Sequence, residues 1–200
     1  MSIKFQYNKI SQQALDKQLK VRERALPTLK NKESALRMEV KRAKDRAALL
    51  EKELEKQVSQ YEGMMRLWGE FDMSLIVIKD VHLSVKKLAG VYTPVLEEVE
   101  FQVKEYSLFN QPVWFADGIK LVKDMARIAI EREVFVQKMN LLDFARKKTT
   151  QKVNLYEKVQ IPGYQDAIRK IKRFLEDEEN LSKSAQKIVK GRKQQMEVES

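Results

Sequence analysis

Histidine, cysteine and paired carboxylates are the side chains that most often carry catalysis or bind metals, and this chain offers few of them. It contains one histidine, His82, and no cysteine. A lone histidine in a predicted strand is more often structural or solvent-facing than a metal ligand. The absence of cysteine excludes disulfides and thiolate metal sites, and it is compatible with a reducing cytosol.

No short motif of a known catalytic chemistry is present. The sequence lacks a phosphate-binding P-loop, a GxGxxG turn, a GxSxG elbow and an HExxH helix. Its carboxylates are spread along predicted helix surfaces, where no cleft would shift their pKa values. We therefore predict no catalytic residue, no metal site and no cofactor, and we do not expect an enzyme.

The composition indicates long helices rather than a compact core. Of 200 residues, 43% are apolar and 34% are charged, which is too charged for a compact core and too apolar for disorder. Six glycines and four prolines leave little room for turns. No apolar run reaches the roughly 18 residues that span a bilayer, and residues 1–20 lack the apolar core of a signal peptide.

Charge is distributed unevenly along the chain. The net charge is +7 over residues 1–68, −4 over 69–117 and +7 over 118–200. Basic residues alternate with acidic ones instead of forming a stripe, so nucleic acid is not an expected partner. The change of sign indicates that the ends and the middle face different partners.

A heptad-like apolar seam runs through residues 26–68 and organises the first part of the chain. From Leu36 its members are separated by alternating steps of three and four residues, with two consecutive steps of four at Leu50, Leu54 and Val58. This spacing predicts a coiled-coil helix with locally relaxed supercoiling at the double step. A helix of this length would reach roughly 60 Å at about 1.5 Å per residue, so it needs a partner helix. The seam consists of Leu26, Leu29, Leu36, Val40, Ala43, Ala47, Leu50, Leu54, Val58, Tyr61, Met65 and Trp68.

Residues 1–68 are predicted to form the N-terminal coiled-coil segment. Ser11 is a plausible N-cap because Leu15 follows four residues later. Pro27 has no N–H to offer the carbonyl of Glu23 and crowds it, which predicts a kink or a short break between these residues.

Residues 69–117 are predicted to form a β-hairpin and loop insertion. Two runs, centred on Val81 and Val99, alternate apolar and polar residues, and Gly90 and Pro94 interrupt them. A lone hairpin is marginally stable, so this one must pack on the coil or on another subunit. Residues 107–118 are predicted to form a loop in which Asp117 caps the next helix.

Residues 118–200 are predicted to form the C-terminal coiled-coil segment. Apolar residues near heptad spacing indicate a helix over 118–160 that pairs antiparallel with the first. Pro162 then falls at about the same height as Pro27, which predicts a shared articulation. A last helix over 164–192 begins acidic and ends basic, as suits the helix dipole, and residues 196–200 are expected to fray.

Three stretches together resemble the D subunit of rotary V-type and A-type ATPases, in the right order along the chain. Residues 29–36, LKNKESAL, are similar to a signature on that family's N-terminal helix. Residues 89–94, AGVYTP, resemble its central GVxxP turn, and 153–162, VNLYEKVQIP, followed by AIRKI and LEDEE, resemble its C-terminal run. Pro27 and Glu33 depart from the family pattern.

The resemblance implies a non-catalytic central rotor shaft, with ATP hydrolysis or synthesis occurring in the surrounding ring. Its implied partners are the catalytic and nucleotide-binding ring subunits, a smaller central-stalk subunit and the socket of the membrane rotor. It implies a cytoplasmic location in a membrane-bound complex without direct membrane insertion. The first alternative is a free-standing coiled-coil adaptor. The second is a basic helical protein that lies on membrane surfaces.

Two groups of residues are candidates for these contacts under the resemblance. The basic candidates would contact the ring, and we call them the ring candidates. The candidates from the predicted hairpin would contact the smaller stalk subunit or the socket of the membrane rotor, and we call them the foot candidates. The ring candidates are Lys183, Lys187, Lys190, Arg192, Lys30 and Lys32. The foot candidates are Val81, Leu83, Val85, Gly90, Pro94, Phe101 and Val103.

Overall fold

The predicted mainly helical fold is confirmed. A computed structural model describes residues 3–62, 69–105, 112 and 114–199, with side chains up to residue 195. Two long helical segments are in contact, and a two-stranded antiparallel hairpin is inserted between them. In chain order the elements are α1 (Lys9–Tyr61), a 3₁₀ turn (Met73–Leu75), β1 (Ile76–Leu88), β2 (Val91–Val103), α2 (Phe115–Asn154), a π turn (Leu155–Gln160) and α3 (Ile161–Glu199).

The chain divides into two compact units. The terminal unit comprises Met1–Asn31 and Thr149–Ser200, and the middle unit comprises Lys32–Lys148. Helix α1 contributes residues to both units. Each unit has its own buried apolar cluster.

The middle unit contains most of the predicted seam. Leu36, Ala43, Ala47 and Leu50 are buried on α1, as the heptad spacing predicts. Two ion pairs join α1 to α2, Arg46 with Glu131 at 3.0 Å and Arg132 with Glu51. Helix α2 is therefore the partner helix that the seam required. Trp68 and Met65 lie outside the described residues.

The predicted double step of the seam is wrong at Val58. That side chain is 46% exposed, whereas Gln57 is half-buried. The seam therefore continues from Leu54 through Gln57 to Tyr61, which keeps the regular alternation of four and three residues. An amide occupies a position where the heptad would favour an apolar side chain.

The hairpin of β1 and β2 confirms the predicted strands and turn. The pairing runs from Ile76 with Val103 to Leu88 with Val91, with register shifts near Lys79 and between His82 and Leu83. Gly90 lies in the turn at φ 80°, but Pro94 does not interrupt β2, because it pairs with Val85 inside the ladder. Proline is tolerated there because each strand of a two-stranded sheet is an edge strand.

A second apolar cluster anchors the hairpin base to the start of α2. Phe71, Leu75, Phe115 and Ile119 are buried together, and Val103 packs against them. The prediction that Asp117 caps this helix is wrong, because α2 begins at Phe115 and Asp117 lies in its first turn. A carboxylate there is still favourable for the helix dipole. Residues 106–111 and 113, within the predicted loop, lie outside the described part of the chain.

The terminal unit packs α1 antiparallel to α3. Leu15, Tyr164, Ala167 and Ile171 form its buried cluster, against which Ile3 and other apolar side chains pack. The direction follows from hydrogen bonds that pair Gln18 with Tyr164 and Lys30 with Glu157. The predicted antiparallel pairing thus holds in this unit.

Helix α1 begins earlier than predicted, so Ser11 is not its N-cap. The Asn8 side-chain oxygen accepts a hydrogen bond of 2.7 Å from the backbone N–H of Ser11, which makes Asn8 the cap. The Ser11 hydroxyl in turn accepts from the N–H of Gln6 at 3.3 Å. The arrangement differs from a capping box, in which the Ser11 side chain would accept from the N–H of the cap residue Asn8.

Pro27 lies inside α1, so the structure shows no helix break at that position. A bend there, and an articulation shared with Pro162, stay predictions. Pro162 is the second residue of α3, two residues after the end of the π turn.

Candidate interaction surfaces

The described residues give no indication of a catalytic or metal centre. Within residues 3–62, 69–105 and 114–199, no three histidine or carboxylate side chains are grouped so that they could hold a metal ion. None of the helices in this described part of the chain has a stretch long and apolar enough to cross a bilayer. The surfaces of interest are therefore exposed patches of charge and apolar side chains.

The second half of α3 is exposed on all sides within the terminal unit. Every side chain from residue 176 to 195 is exposed, including Leu181 at 72% and Ile188 at 59%. A helix with exposed apolar side chains and no buried face lacks the packing that stabilises most protein helices. Residues 176–195, which we call the free segment, are therefore a candidate binding surface.

The free segment contains four of the six ring candidates: Lys183, Lys187, Lys190 and Arg192. Lys183 forms an ion pair of 2.7 Å with Glu179, one helical turn earlier. The hydrogen bond and charge of Lys183 lower the pKa of the Glu179 carboxyl. Acidic side chains thus precede basic ones along this segment, but neither group lies in the first or last turn of α3, where the helix dipole acts.

The other two ring candidates contact the chain itself. Lys30 forms an ion pair of 2.6 Å with Glu157 in the terminal unit. Lys32, in the middle unit, lies at the hairpin turn, where a Cβ added to Gly90 would be 3.4 Å from its Nζ. Neither lysine is grouped with the four on the free segment by a described contact.

The hairpin exposes an apolar patch on one face. Directly paired residues of an antiparallel ladder share a face, and so do residues two apart along a strand. Leu83 pairs with Leu96 and Val85 pairs with Pro94, and Tyr92 lies on the same face. Leu83, Val85 and Tyr92 are 48%, 69% and 65% exposed. We call these five residues the outer face of the hairpin.

The remaining foot candidates add no exposed apolar side chain to this patch. Val103 packs against the cluster of Phe71 and Phe115, so it is part of the core. Val81 pairs with buried Val99, Phe101 is half-buried, and Gly90 lies in the turn. The structure thus brings together three foot candidates, Leu83, Val85 and Pro94. Sequence reasoning missed Tyr92 and Leu96, although their alternation with Thr93 and Val95 could have revealed them.

His82 stands in an acidic environment on the hairpin. Its Nε2 is 3.0 Å from a carboxylate oxygen of Glu100, and its Nδ1 is 3.8 Å from Asp80. The hydrogen bond to Glu100 raises the pKa of the imidazole, as do the charges of Asp80 and Glu98. The same bond, together with Lys79, lowers the pKa of Glu100. The single histidine therefore carries an electrostatic role that its isolation in the sequence did not indicate.

An apolar groove of about 470 Å³ lies between α1 and α2 in the middle unit. Leu54, Val58 and Tyr61 line it from α1, and Val122 and Met125 line it from α2. The exposure of Val58 thus has a local explanation, since this side chain lies at the groove.

Arg22 is the functional candidate that sequence reasoning missed entirely. Its Nε donates a hydrogen bond of 2.6 Å to the side chain of Gln160, and its guanidinium lies 4.7 Å from the ring centre of Tyr164. Nothing in the charge pattern distinguishes Arg22 from the other basic residues of α1. What distinguishes Arg22 is its contact with Gln160, the last residue of the π turn.

Comparisons with known proteins agree on one family. A family model for the D subunit of ATP synthase matches residues 11–191. The chain is 30% identical to the D subunit of the V-type ATP synthase of Borreliella burgdorferi over 188 residues, which cover 91% of this chain and 93% of that protein. It is also 30% identical to the D subunit of the V-type ATP synthase of Chlamydia muridarum over 204 residues, covering 98% of each.

Proposed function

Because this chain belongs to the family of ATP synthase D subunits, the non-catalytic central-stalk subunits of V-type rotary ATPases, we propose that it is the shaft that transmits torque. In this role it turns inside the ring of catalytic and nucleotide-binding subunits, where ATP is hydrolysed or made. It connects that ring to the rotor in the membrane and lies on the cytoplasmic side. The chain itself performs no chemistry.

The observation that carries this proposal is the combination of packed helices with a free helical end. Helices joined along a buried seam resist relative twisting, because well-packed interiors have low compressibility. The seam residues Leu36, Ala43, Ala47 and Leu50 supply that packing in the middle unit. The free segment supplies an exposed helix that a surrounding ring can enclose.

The basic residues of the free segment are proposed to face acidic residues of the ring interior. Lys183, Lys187, Lys190 and Arg192 are exposed and follow one another within three helical turns. Charges spread along a solvated helix attract a ring of opposite sign without fixing one orientation, which suits a surface that must move past successive subunits. Such attraction raises the association rate and weakens with salt.

Neutralising these four residues tests the contact. Replacing them with Gln should slow association with the purified ring and weaken its salt dependence, since screened attraction between the two surfaces is lost. The matched control makes the same change at four lysines of α1 that are also exposed: Lys41, Lys44, Lys52 and Lys56. If the two quadruple variants bind and respond to salt alike, the proposed contact is wrong.

The outer face of the hairpin is proposed to bind the smaller central-stalk subunit or the membrane-rotor socket. Its exposed apolar side chains resemble those at the centre of protein interfaces more than an ordinary solvated sheet. Serine at both Leu83 and Val85 should abolish capture of that partner while the chain still binds the ring. Val77, 46% exposed on the same strand but outside the outer face, provides the control substitution. Loss of ring binding alone in the double variant would contradict this assignment.

Stoichiometry distinguishes a shaft from a free-standing coiled-coil adaptor. When mixed with ring subunits, a shaft should co-elute on size exclusion with one copy per ring. An adaptor would elute separately or bind each ring subunit independently. Excess chain that continues to load onto the ring beyond one copy would therefore contradict the proposed function.

A further inference from the structure

The π turn at Leu155–Gln160 interrupts an otherwise α-helical stretch from Phe115 to Glu199. The N–H of Ile161 bonds to the carbonyl of Tyr156, five residues back rather than four. Such turns are rare, occur mostly as single insertions in α-helices and are frequent at functional sites. Pro162 lies two residues after the end of the turn, and in an α-helix its ring would crowd the carbonyl of Lys158. The extra residue of the π turn relieves that conflict.

Arg22, on the facing helix α1, contacts the π turn. Its Nε donates to the Gln160 side chain, the last residue of the turn, at 2.6 Å. Its guanidinium lies 5.9 Å from the ring centre of Tyr156, inside the turn, and 4.7 Å from that of Tyr164, just beyond it. Cation–π contacts of this kind favour the present placement of both rings. Arg22 therefore contacts two residues within the π turn and one just beyond it.

Three further contacts support this arrangement within the terminal unit. Lys30 pairs with Glu157 inside the turn at 2.6 Å. The Tyr164 hydroxyl donates to the side chain of Gln18 at 2.8 Å, and Arg22 donates to the Gln18 carbonyl at 3.1 Å. Gln18, Arg22 and Tyr164 thus form one connected polar group beside the buried cluster.

The apolar pattern of the sequence is equally compatible with an unbroken α-helix at this place. Val153 and Tyr164 are both buried and are eleven residues apart. At 3.6 residues per turn, that separation corresponds to three turns plus about 20°, so both would share a face without a π turn. Apolar burial therefore does not select the π form. The described features that favour the π form are Pro162 and the contacts that Arg22 and Lys30 make with the turn.

We infer that the π turn is a register switch in the helix and that Arg22 is the positioning residue that keeps it in the π form. When the turn converts to α-helix, the acceptor for Ile161 changes from Tyr156 to Glu157. The residues beyond the turn then rotate by about 100°, the angle of one α-helical residue, relative to the residues before it. The rotating part includes the free segment, so the switch sets which of its faces a partner meets. This consequence for a partner rests on the proposed function, whereas the switch is a property of the isolated chain.

Hydrogen-bond scalar couplings measured by NMR on the isolated full-length chain test the switch directly. In the unmodified protein, the Ile161 amide should couple to the Tyr156 carbonyl. In Arg22→Ala, at least a tenth of the molecules should show the Glu157 carbonyl as acceptor instead. Arg24→Ala, two residues away on an exposed part of α1, should leave the acceptor unchanged. An Arg22→Ala chain that retains Tyr156 as its sole acceptor would overturn the role of Arg22.

Pro162→Ala provides an independent variant. It removes the ring that opposes an α-helix and restores an amide, so the acceptor for Ile161 should shift to Glu157 in most molecules. If the π turn persists in Pro162→Ala, the α form is not accessible and the switch is refuted. Because no ring subunit is present, this result is separate from the proposed function. Conversely, failure to bind a ring would leave the switch untouched.

Discussion

At the scale of single residues, His82 shows how position changes the meaning of a side chain. In the sequence it is a lone histidine between apolar neighbours, which predicts little. In the hairpin it lies beside Glu100, Asp80 and Glu98, and Lys79 forms an ion pair of 3.1 Å with the same Glu100. Cross-strand pairing created this group, and no spacing along the chain could have revealed it.

The raised pKa of His82 makes the hairpin sensitive to pH. Because the pKa is higher in the folded than in the unfolded chain, protonation stabilises the folded state below the unfolded pKa of about 6.5. That contribution is lost as the pH rises through the folded pKa. The lowered pKa of Glu100 acts in the opposite direction, so its contribution is lost as the pH falls below 4.5. The pair thus favours the hairpin most between these two values.

Glu100→Gln should lower the pKa of His82, because a neutral amide replaces the carboxylate that accepts the hydrogen bond of the imidazolium. The charges of Asp80 and Glu98 remain and still raise the pKa, but burial of the imidazole, which lowers it, then opposes them. NMR titration measures this directly, and one histidine in the chain makes its signals unambiguous. Glu97→Gln, at an exposed position of the same strand, should leave the titration where it is. An unchanged pKa in Glu100→Gln would mean that the 3.0 Å contact does not persist in solution.

At the scale of elements, the hairpin was predictable and its turn chemistry only partly so. Alternating β-branched residues on either side of Gly90 predicted two strands and the turn between them. Ala89 also adopts a positive φ of 47°, which a two-residue type I′ turn requires. Alanine is disfavoured there because its Cβ crowds the backbone in the left-handed region. The hairpin therefore forms in spite of its first turn residue.

Ala89→Asn should raise the free energy of unfolding by roughly 1 kcal/mol, because asparagine tolerates the left-handed region better. Gly90→Ala, at φ 80°, should lower it by a similar amount. The midpoint of urea unfolding measures both changes. A type I′ turn predicts that the two substitutions shift the unfolding midpoint in opposite directions. A loss of stability in Ala89→Asn would contradict this turn geometry.

The coiled-coil seam illustrates a different limit of sequence reading. Heptad spacing identified the buried side of α1 correctly from Leu36 to Leu54. It then favoured Val58 over Gln57, since an apolar residue was the obvious choice. The structure instead half-buries Gln57, and none of the described residues offers its Oε1 atom a hydrogen-bond partner. Periodicity was the better guide than residue type at this position.

Gln57→Leu should stabilise the protein by about 1 kcal/mol, because a buried amide oxygen without a partner is replaced by an apolar group. Gln60→Leu, the same change at an exposed position of α1, should shift stability by less than about 0.5 kcal/mol. Thermal unfolding of the two variants provides the comparison. If Gln57→Leu is the less stable of the two, an unseen polar contact holds this amide in place.

At the scale of the whole molecule, composition and periodicity predicted the fold class and the inserted hairpin, and three short motifs predicted the family. The helix starts were misplaced at Ser11 and Asp117, because several residues near each end could cap a helix and only tertiary packing decides among them. The π turn could not be predicted, since the apolar pattern across it also fits an α-helix. The one feature of the sequence that indicates an irregularity there is Pro162, but a proline predicts only that a helix is disturbed and not that a π turn forms.

Family membership explains why a chain without catalytic residues has such regular helices. A protein that transmits torque needs continuous packing and partner surfaces rather than a pocket with perturbed acids. The free segment and the outer face of the hairpin are exposed, and they are the two surfaces that we propose for partners. The central claim is therefore mechanical, and it calls for a mechanical measurement.

Single-molecule rotation tests that claim most directly. The chain has no cysteine, so Lys87→Cys beside the hairpin turn gives one attachment point for a bead, with the ring fixed to a surface. Under ATP, the bead should turn in one direction and in steps that follow the ring's catalytic sites. A ring that binds one copy of the chain and hydrolyses ATP while the bead stays still, or turns without preferred direction, would contradict the account.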